Sequence, residues 1–252
     1  MSERCFVSDL IPQDELKEVI SRTGAGVETI RFSVGMNLDD FEHQMECAKE
    51  ELKAYGNPGL TLHGPFLDLN PMSFDRLIRQ ATMERFQQAY EAAIILGAEK
   101  ITYHSGMVPS ANFLEGWAER MIDFWNEFLD GKAGIRVCME NVLDQEPSAL
   151  LKVAEEVTHP EFGLCLDIGH AHCYSPHSVL EWAEMLAGHI GHVHIHDNDG
   201  TRDSHNALGE GTIPLEQLLP VLKKQNPEVT WTVECREEKD ILSSLDYLKK
   251  VL

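Results

Sequence analysis

Gly163-Leu164-Cys165-Leu166-Asp167-Ile168-Gly169-His170 is a short apolar run that stops on a carboxylate and then turns helical. Runs of similar character recur at Cys5 to Ser8, Val27 to Ser33, Leu60 to His63, Lys100 to His104, Ile135 to Glu140, Gly191 to His196 and Val229 to Glu234. With Gly163 to Asp167 they make eight strand candidates, each followed by a stretch that can form a helix. Such alternation is the pattern of βα units around a parallel sheet. Asp39 with Glu42 three residues on reads as a capping box. Phe86, Ala89, Ala93 and Leu96 keep one helical face before Gly97 ends it, and Leu215, Leu218, Leu219 and Leu222 repeat the pattern after Pro214. Eight units in 252 residues is about 31 each, the size expected of a βα unit with few insertions. The reading is an α/β protein, a single (β/α)8 TIM barrel domain over residues 1–252. An open doubly wound sheet would want a Gly-rich phosphate turn after its first strand, and Ser8-Asp9-Leu10-Ile11-Pro12 is not one.

Composition narrows the function. The chain is 43% hydrophobic and 25% charged, an ordinary globular balance with material for a sizeable core. Its 21 Lys and Arg against 42 Asp and Glu give a net charge of −21, a field that repels polyanions and argues against nucleic acid as partner. Met1 to Leu10 carries Glu3, Arg4 and Asp9 and so lacks the apolar run of a signal peptide. No segment reaches the roughly 18 apolar residues of a membrane span, so a cytoplasmic protein with no membrane partner is expected. Cys5, Cys47, Cys138, Cys165, Cys173 and Cys235 are scattered without CxxC spacing. They are read as reduced, mostly buried thiols rather than a disulfide framework or zinc-thiolate site.

The chemistry lies at the carboxyl ends of the strand candidates, the face where barrel enzymes place their sites. Six consecutive strands end in a ligand-type residue: His63, His104, Glu140, Asp167 with His170 three residues on, His194, and Glu234. A closed barrel gathers those ends into one mouth. Burying carboxylates costs on the order of several kcal/mol each unless charge is paired, and no Lys stands at any of those ends, so a divalent cation is the natural partner. His192, His194 and His196 alternate with Val193 and Ile195 and share one strand face; the run alone does not say which is level with the mouth. His172 and His177 are read as loop residues, and His43, His159 and His189 as background. In the loop from Asp197 to Gly211, Asp197, Asn198, Asp199 and Gly200 resemble the start of a calcium loop, but Leu208 stands where that loop needs Glu. Asp203 and His205, two apart, can reach one ion from a folded loop, though taken alone the pair reads as a solvated loop. Arg202 and Arg236 are placed to stand at the rim, where each either binds a substrate carboxylate or phosphate or pairs with Asp199, Glu237 or Glu238.

From Leu60 to Glu234 these residues resemble the xylose-isomerase-like barrels, which include apurinic-site endonuclease IV and the ketose epimerases and sugar isomerases. The specific stretches are Leu62-His63-Gly64-Pro65-Phe66-Leu67-Asp68-Leu69-Asn70, Cys165 to His170, and His194 to Gly211 with its Leu-Gly-Glu-Gly ending. The resemblance implies a central metal on Glu140, Asp167, His194 and Glu234. It further implies, in the endonuclease branch, a metal on His63 and His104 with Glu140 bridging, and another on His170, Asp203 and His205. All nine positions are filled, so a binding protein with a dead site is disfavoured. The ligands are nitrogen and oxygen, which leaves zinc, manganese, iron or cobalt as cofactor, one site certain and two or three compatible with the residues. The function implied is a metal-dependent isomerase or epimerase of a sugar or sugar phosphate, working through an enediolate with Glu140 and Glu234 moving the proton. His170, Arg202 and Arg236 would touch the carbohydrate substrate. The alternative is a di- or trinuclear phosphodiester hydrolase of the endonuclease IV type; the charge of −21, the lack of cationic runs and the short mouth loops place it second.

Overall fold

The computed structural model describes residues 5–109, 111 and 113–252; Glu3 and Arg4 of the amino-terminal reading lie outside them. Eight parallel strands, β1 (Cys5–Ser8), β2 (Gly26–Thr29), β3 (Leu60–His63), β4 (Lys100–His104), β5 (Arg136–Glu140), β6 (Phe162–Asp167), β7 (Ile190–Ile195) and β8 (Thr230–Val233), follow one another in order. β8 pairs back onto β1, so the sheet is a closed barrel. Helices fill the crossovers that parallel neighbours require. The eight-strand α/β barrel expected from the sequence is therefore what forms, and no helix among the described residues is long and apolar enough to cross a membrane.

Several boundaries differ from the sequence reading. β2 stops at Thr29 rather than Ser33, because the Asp9 carboxylate takes the Ile30 N–H at 2.9 Å and the Thr29 hydroxyl at 2.9 Å and bends the chain away from the ladder. β7 and β8 end before His196 and Glu234, which continue the strands into the mouth. The expected capping box at Asp39 and Glu42 is absent: the helix Phe41–Ala54 has no side-chain cap, and Asp39 pairs with Arg85 at 2.5 Å. A reciprocal box forms instead at Ser178 and Glu181, at the start of Val179–Leu186. The helix Arg76–Leu96 is capped by Asp75 and ends at Gly97 with φ 73°, as its periodicity and glycine predict. Of the cysteines, Cys138, Cys165 and Cys235 are buried and Cys5, Cys47 and Cys173 half-buried; all six are free thiols.

The two faces of the strands divide the work. Val7, Val27, Leu62, Ile101, Tyr103, Val137, Met139, Leu164, Leu166, Val193, Ile195, Trp231 and Val233 are all buried. Several touch the helix layer directly: the Tyr103 hydroxyl donates to Phe86 O at 2.7 Å, and Trp125 meets Met139. The alternate residues point inward, since they touch residues on strands that are not their neighbours. Glu28 on β2 meets His192 on β7, and Lys100 on β4 donates to Gly191 O on β7 and to Thr230 on β8. The interior is thus filled largely by polar side chains, with Phe6 among them, and small residues admit the large ones. Arg136 packs where a Cβ on Gly163 or Gly191 would stand, and Phe6 where a Cβ on Gly26 would meet its ring at 2.4 Å and Gly59 O at 2.8 Å.

That last contact is testable. Gly26→Ala should lower stability by about 1–3 kcal/mol through overpacking against Phe6, visible as a fall in Tm of about 2–4 °C per kcal/mol. An unchanged melting curve would mean the floor of the barrel is not tightly filled.

Candidate metal centre

The carboxyl ends of β3 to β8 converge as the topology requires, and Glu140 lies at the middle. Its Oε2 is 3.4 Å from His63 Nε2 and 3.5 Å from His104 Nε2. Its Oε1 is 3.2 Å from His194 Nδ1 and 3.5 Å from His170 Nδ1. Glu234 approaches the same His194 Nδ1 at 3.4 Å. Asp167 caps the short helix Ile168–Tyr174 by accepting the His170 N–H at 2.7 Å, which brings the His170 ring 3.4 Å from its own Oδ2. Asp203 Oδ2 stands 3.5 Å from His170 Nε2 and 3.2 Å from His205 Nε2. All nine expected ligand positions therefore meet in one mouth. Glu140, Asp167 and His194 are at most 1% exposed.

The orientation of the rings is set from outside the cluster. His63 Nδ1 donates to Gly64 O at 2.9 Å, His170 Nδ1 to Asn141 O at 3.0 Å and His205 Nδ1 to Glu234 O at 2.6 Å. In each, the other nitrogen is left facing a carboxylate. Those facing contacts are longer than the roughly 2.7–2.9 Å of a charge-assisted hydrogen bond, and Glu140 Oε2, Asp167 Oδ2, Asp203 Oδ1 and His194 Nδ1 are buried with no hydrogen-bond partner. Buried orphans of both signs, aimed at common points, fit a divalent ion. His63, Glu140 and His194 form one group within ligand reach, Glu140, Asp167 and His170 a second, and Asp167, His194 and Glu234 a third. Burial pushes the Cys165 thiol well up.

The sequence pattern described as the xylose isomerase-like TIM barrel matches residues 19–251. The chain belongs to this family. It is 30% identical over 204 residues to the uncharacterized protein MJ1311 of Methanocaldococcus jannaschii, covering 77% of this chain and 70% of that protein. It is 28% identical over 230 residues to the probable endonuclease 4 of Mycobacterium leprae, covering 86% of this chain and 89% of that one. Among solved structures, a D-tagatose 3-epimerase-like protein superposes with a TM-score of 0.77 at 25% identity, covering 98% and 96% of the two chains.

In this xylose isomerase-like barrel the electrostatics are dominated by burial and mutual pairing. Burial raises the Glu140 carboxyl, but the His194 and His104 rings outweigh it and hold Glu140 well below the usual carboxylate range. Burial also raises Glu234, and Asp167 and Glu140 add to it against His194, so Glu234 sits above that range. Burial lowers His170, but Asp167 and Asp203 bring it up to about 10, whereas His104 is pushed by burial down to about 3. A bound cation would favour the charged carboxylates and neutral rings throughout.

Three residues of the mouth escaped the strand-end reading. Glu28 is fully buried, with Oε1 2.9 Å from His194 Nε2 and Oε2 bonded to Thr61 and Thr232. It is the second residue of the run read as β2, away from the carboxyl end where ligands were sought. Asn141 clamps Asp167, donating to its carbonyl and accepting its N–H, both at 2.9 Å. His196, the third of the alternating histidines, is fully buried beside Asp167 and Asp203. His192 lies deeper, bonded to Thr230 and Thr232. The calcium-like start of the loop is accounted for otherwise: Asp197 accepts the N–H groups of Asn198, Gly209 and Ile213. His177, in the loop, pairs with Glu146, whereas His172, read as a loop residue, lies in the last turn of the helix Ile168–Tyr174 and pairs with Thr212. Arg202 and Arg236 are exposed. Their candidate partners are engaged elsewhere, Asp199 with Thr201, Glu237 with Lys239 and Glu238 with Arg22.

Two predictions follow from this geometry. Elemental analysis of the purified chain should find at least one equivalent of zinc, manganese, iron or cobalt, and Glu140→Ala should lose more of it than any other single ligand change. Unchanged stoichiometry in that variant would remove Glu140 from the centre. Glu28→Gln, which keeps shape but removes the charge behind His194, should weaken metal affinity by about 10- to 100-fold in a chelator competition; an unaltered affinity would reduce Glu28 to packing.

Proposed function

We infer that the protein is a divalent-metal-dependent isomerase or epimerase of a sugar or sugar phosphate. The observation that carries this reading is the pair of carboxylates, Glu140 from β5 and Glu234 from the end of β8, standing 3.2 and 3.4 Å from one His194 nitrogen. A divalent ion held by Glu140, Asp167, His194 and Glu234 supplies Lewis acidity toward the oxygens of a bound substrate. Glu140 and Glu234 reach a carbon between them from different strands. One, as carboxylate, would take the proton next to the carbonyl. The other, entering as the carboxylic acid, would give its own proton to the opposite face in an epimerisation or to the neighbouring carbon in an isomerisation, exchange with solvent resetting the pair. Phe66, stacked on His104 with ring centroids 4.3 Å apart, lines one side of the mouth. The likeness to the D-tagatose 3-epimerase-like structure supports a small polyhydroxy substrate.

A second reading is favoured by the full nine-residue set and by the endonuclease 4 relative: phosphodiester hydrolysis at two or three ions. The net charge of −21 opposes it, because duplex binding draws on a cationic surface to displace counterions. A panel of ketoses, aldoses and their phosphates should show metal-dependent exchange of a carbon-bound hydrogen with solvent deuterium for at least one member. Duplex DNA with an abasic site should be neither bound nor cut; cleavage at physiological salt would reverse the ranking.

Arg202 and Arg236, exposed at the loops after β7 and β8 and free of acidic partners among the described residues, are assigned to a substrate anion. A bidentate arginine contact to the non-reacting end raises affinity without touching the chemistry. Arg236→Ala should raise KM for an anionic sugar by roughly tenfold with a smaller change in kcat and no change in metal content. Equal activity on neutral and anionic sugars, unaltered by the substitution, would leave an uncharged monosaccharide as the substrate.

A further inference from the structure

His196, like His194, is fully buried with no hydrogen bond at either ring nitrogen, but unlike His194 it stands outside the nine expected ligands. Leaving such a group unpaired in the interior is costly. Its Nε2 points between two carboxylates, 3.4 Å from Asp167 Oδ1 and 3.6 Å from Asp203 Oδ1, and Asp203 Oδ1 is itself buried without a partner. The ring is held in that place from both sides. It stacks on His205 at 4.0 Å with 16° between the planes, and it occupies the space above Gly169, where an added Cβ would meet it at 2.0 Å. A side chain at 169 would force the imidazole to shift.

We propose that His196 is a ligand of the outer metal position, through Nε2, and that with His170, Asp203 and His205 it gives that position four protein donors. The inference rests on the metal-dependent reading above and extends it to a residue outside the nine. Four donors about 2.0–2.1 Å from one zinc ion stand about 3.3 Å apart. Asp203 Oδ2 stands 3.2 Å from His205 Nε2 and 3.5 Å from His170 Nε2, close to that spacing. Its other oxygen, Oδ1, faces His196 Nε2 at 3.6 Å, and His196 and His205 also lie within ligand reach of Glu234. The His170 and His205 rings are already turned with Nε2 toward Asp203 by their bonds to Asn141 O and Glu234 O.

Four protein donors have a functional consequence. A site with three protein ligands keeps a position open for water or substrate, whereas a four-ligand site is closed and structural. A closed outer ion ties the loop carrying Asp203 and His205 to the β6 turn carrying His170. It does not present a coordination position to a phosphodiester. The active chemistry is then left to the central group, as proton transfer on a small substrate requires, and trinuclear hydrolysis is disfavoured by a residue rather than by net charge alone.

The test uses the full chain, stripped with chelator and reloaded with Zn(II) or Co(II). Wild type should hold at least two tight equivalents. His196→Asn and His196→Gln should each weaken one of them by at least about 100-fold, beyond the loss expected from removing a supporting partner, while the other equivalent is retained. With Co(II), the intense visible bands of a four-coordinate site should be present in wild type and lost in both variants. Should the variants fail to fold, long-range 1H–15N spectra of wild type read the same point, His196 Nε2 moving to the metal-bound range on zinc addition. Unchanged stoichiometry, affinity and Co(II) spectrum in the variants, or a His196 nitrogen that keeps its free-ring shift, would overturn the proposal and leave the ring as a buried charge between Asp167 and Asp203. A wild type that binds a single equivalent would overturn it too while leaving the proposed function standing; one that binds none removes both.

Discussion

Carboxylates buried in the mouth of the barrel are the constraint on which the rest of this structure depends. Glu28, Glu140, Asp167 and Glu234 are each at most 7% exposed, and Asp203 stands beside them. Isolated burial of even one such group would cost several kcal/mol, on the order of the whole stability margin of a domain when summed. What makes the arrangement tenable is the ring of imidazoles that faces them, and a divalent cation would complete the balance. The unpartnered atoms within that ring mark where positive charge is wanted.

Everything around the mouth serves to hold those groups in place. Each of His63, His170 and His205 has one nitrogen committed to a backbone carbonyl, which leaves the other directed inward. Asn141 fixes Asp167 by its backbone, and Asp144 braces the loops after β4 and β5 by accepting from the Ser105 hydroxyl at 2.6 Å and the Val142 N–H at 2.9 Å. Burial raises the Asp144 carboxyl to about 6 against those two bonds. Asp197 organises the long loop after β7, and Gly211 lies so close that a Cβ there would meet Asp197 Oδ1 at 2.2 Å. His205 adopts φ 50°, a conformation that most side chains avoid and that its bond to Glu234 O sustains. The apolar outer faces of the strands supply the stability.

The fold alone does not choose among the chemistries of the family, since an epimerase-like structure and an endonuclease relative both share it. The choice lies in the surroundings of the centre. An acidic protein with two rim arginines suits a small anionic or neutral substrate better than a duplex, and an outer site closed by His196 would point the same way.

The eight βα units, their order, and the ligand types at the ends of β3 to β8 were legible because strand periodicity and the carboxyl-end rule are local properties of the chain. His63, His104, Glu140, Asp167 and Glu234 could be named from that pattern, and the resemblance added the choice of His194 and the roles of Asp203 and His205. The sequence could not rank His192, His194 and His196, because depth in a barrel is set by register, and the shift between Leu164 and Cys165 where β6 meets β7 is visible only once the sheet closes. Glu28 was hidden for the same reason: it is 164 to 204 residues from His192, His194 and Thr232 in the chain, and it meets them only because β2 and β7 face each other across a closed interior. The failed capping box at Asp39 and the early end of β2 are cases in which a distant partner, Arg85 for the first and Asp9 for the second, outbid a local preference. Local pattern therefore determined the elements and the inventory of ligands, and tertiary closure decided which of them share an ion, because distances between strands depend on register and shear rather than on sequence spacing.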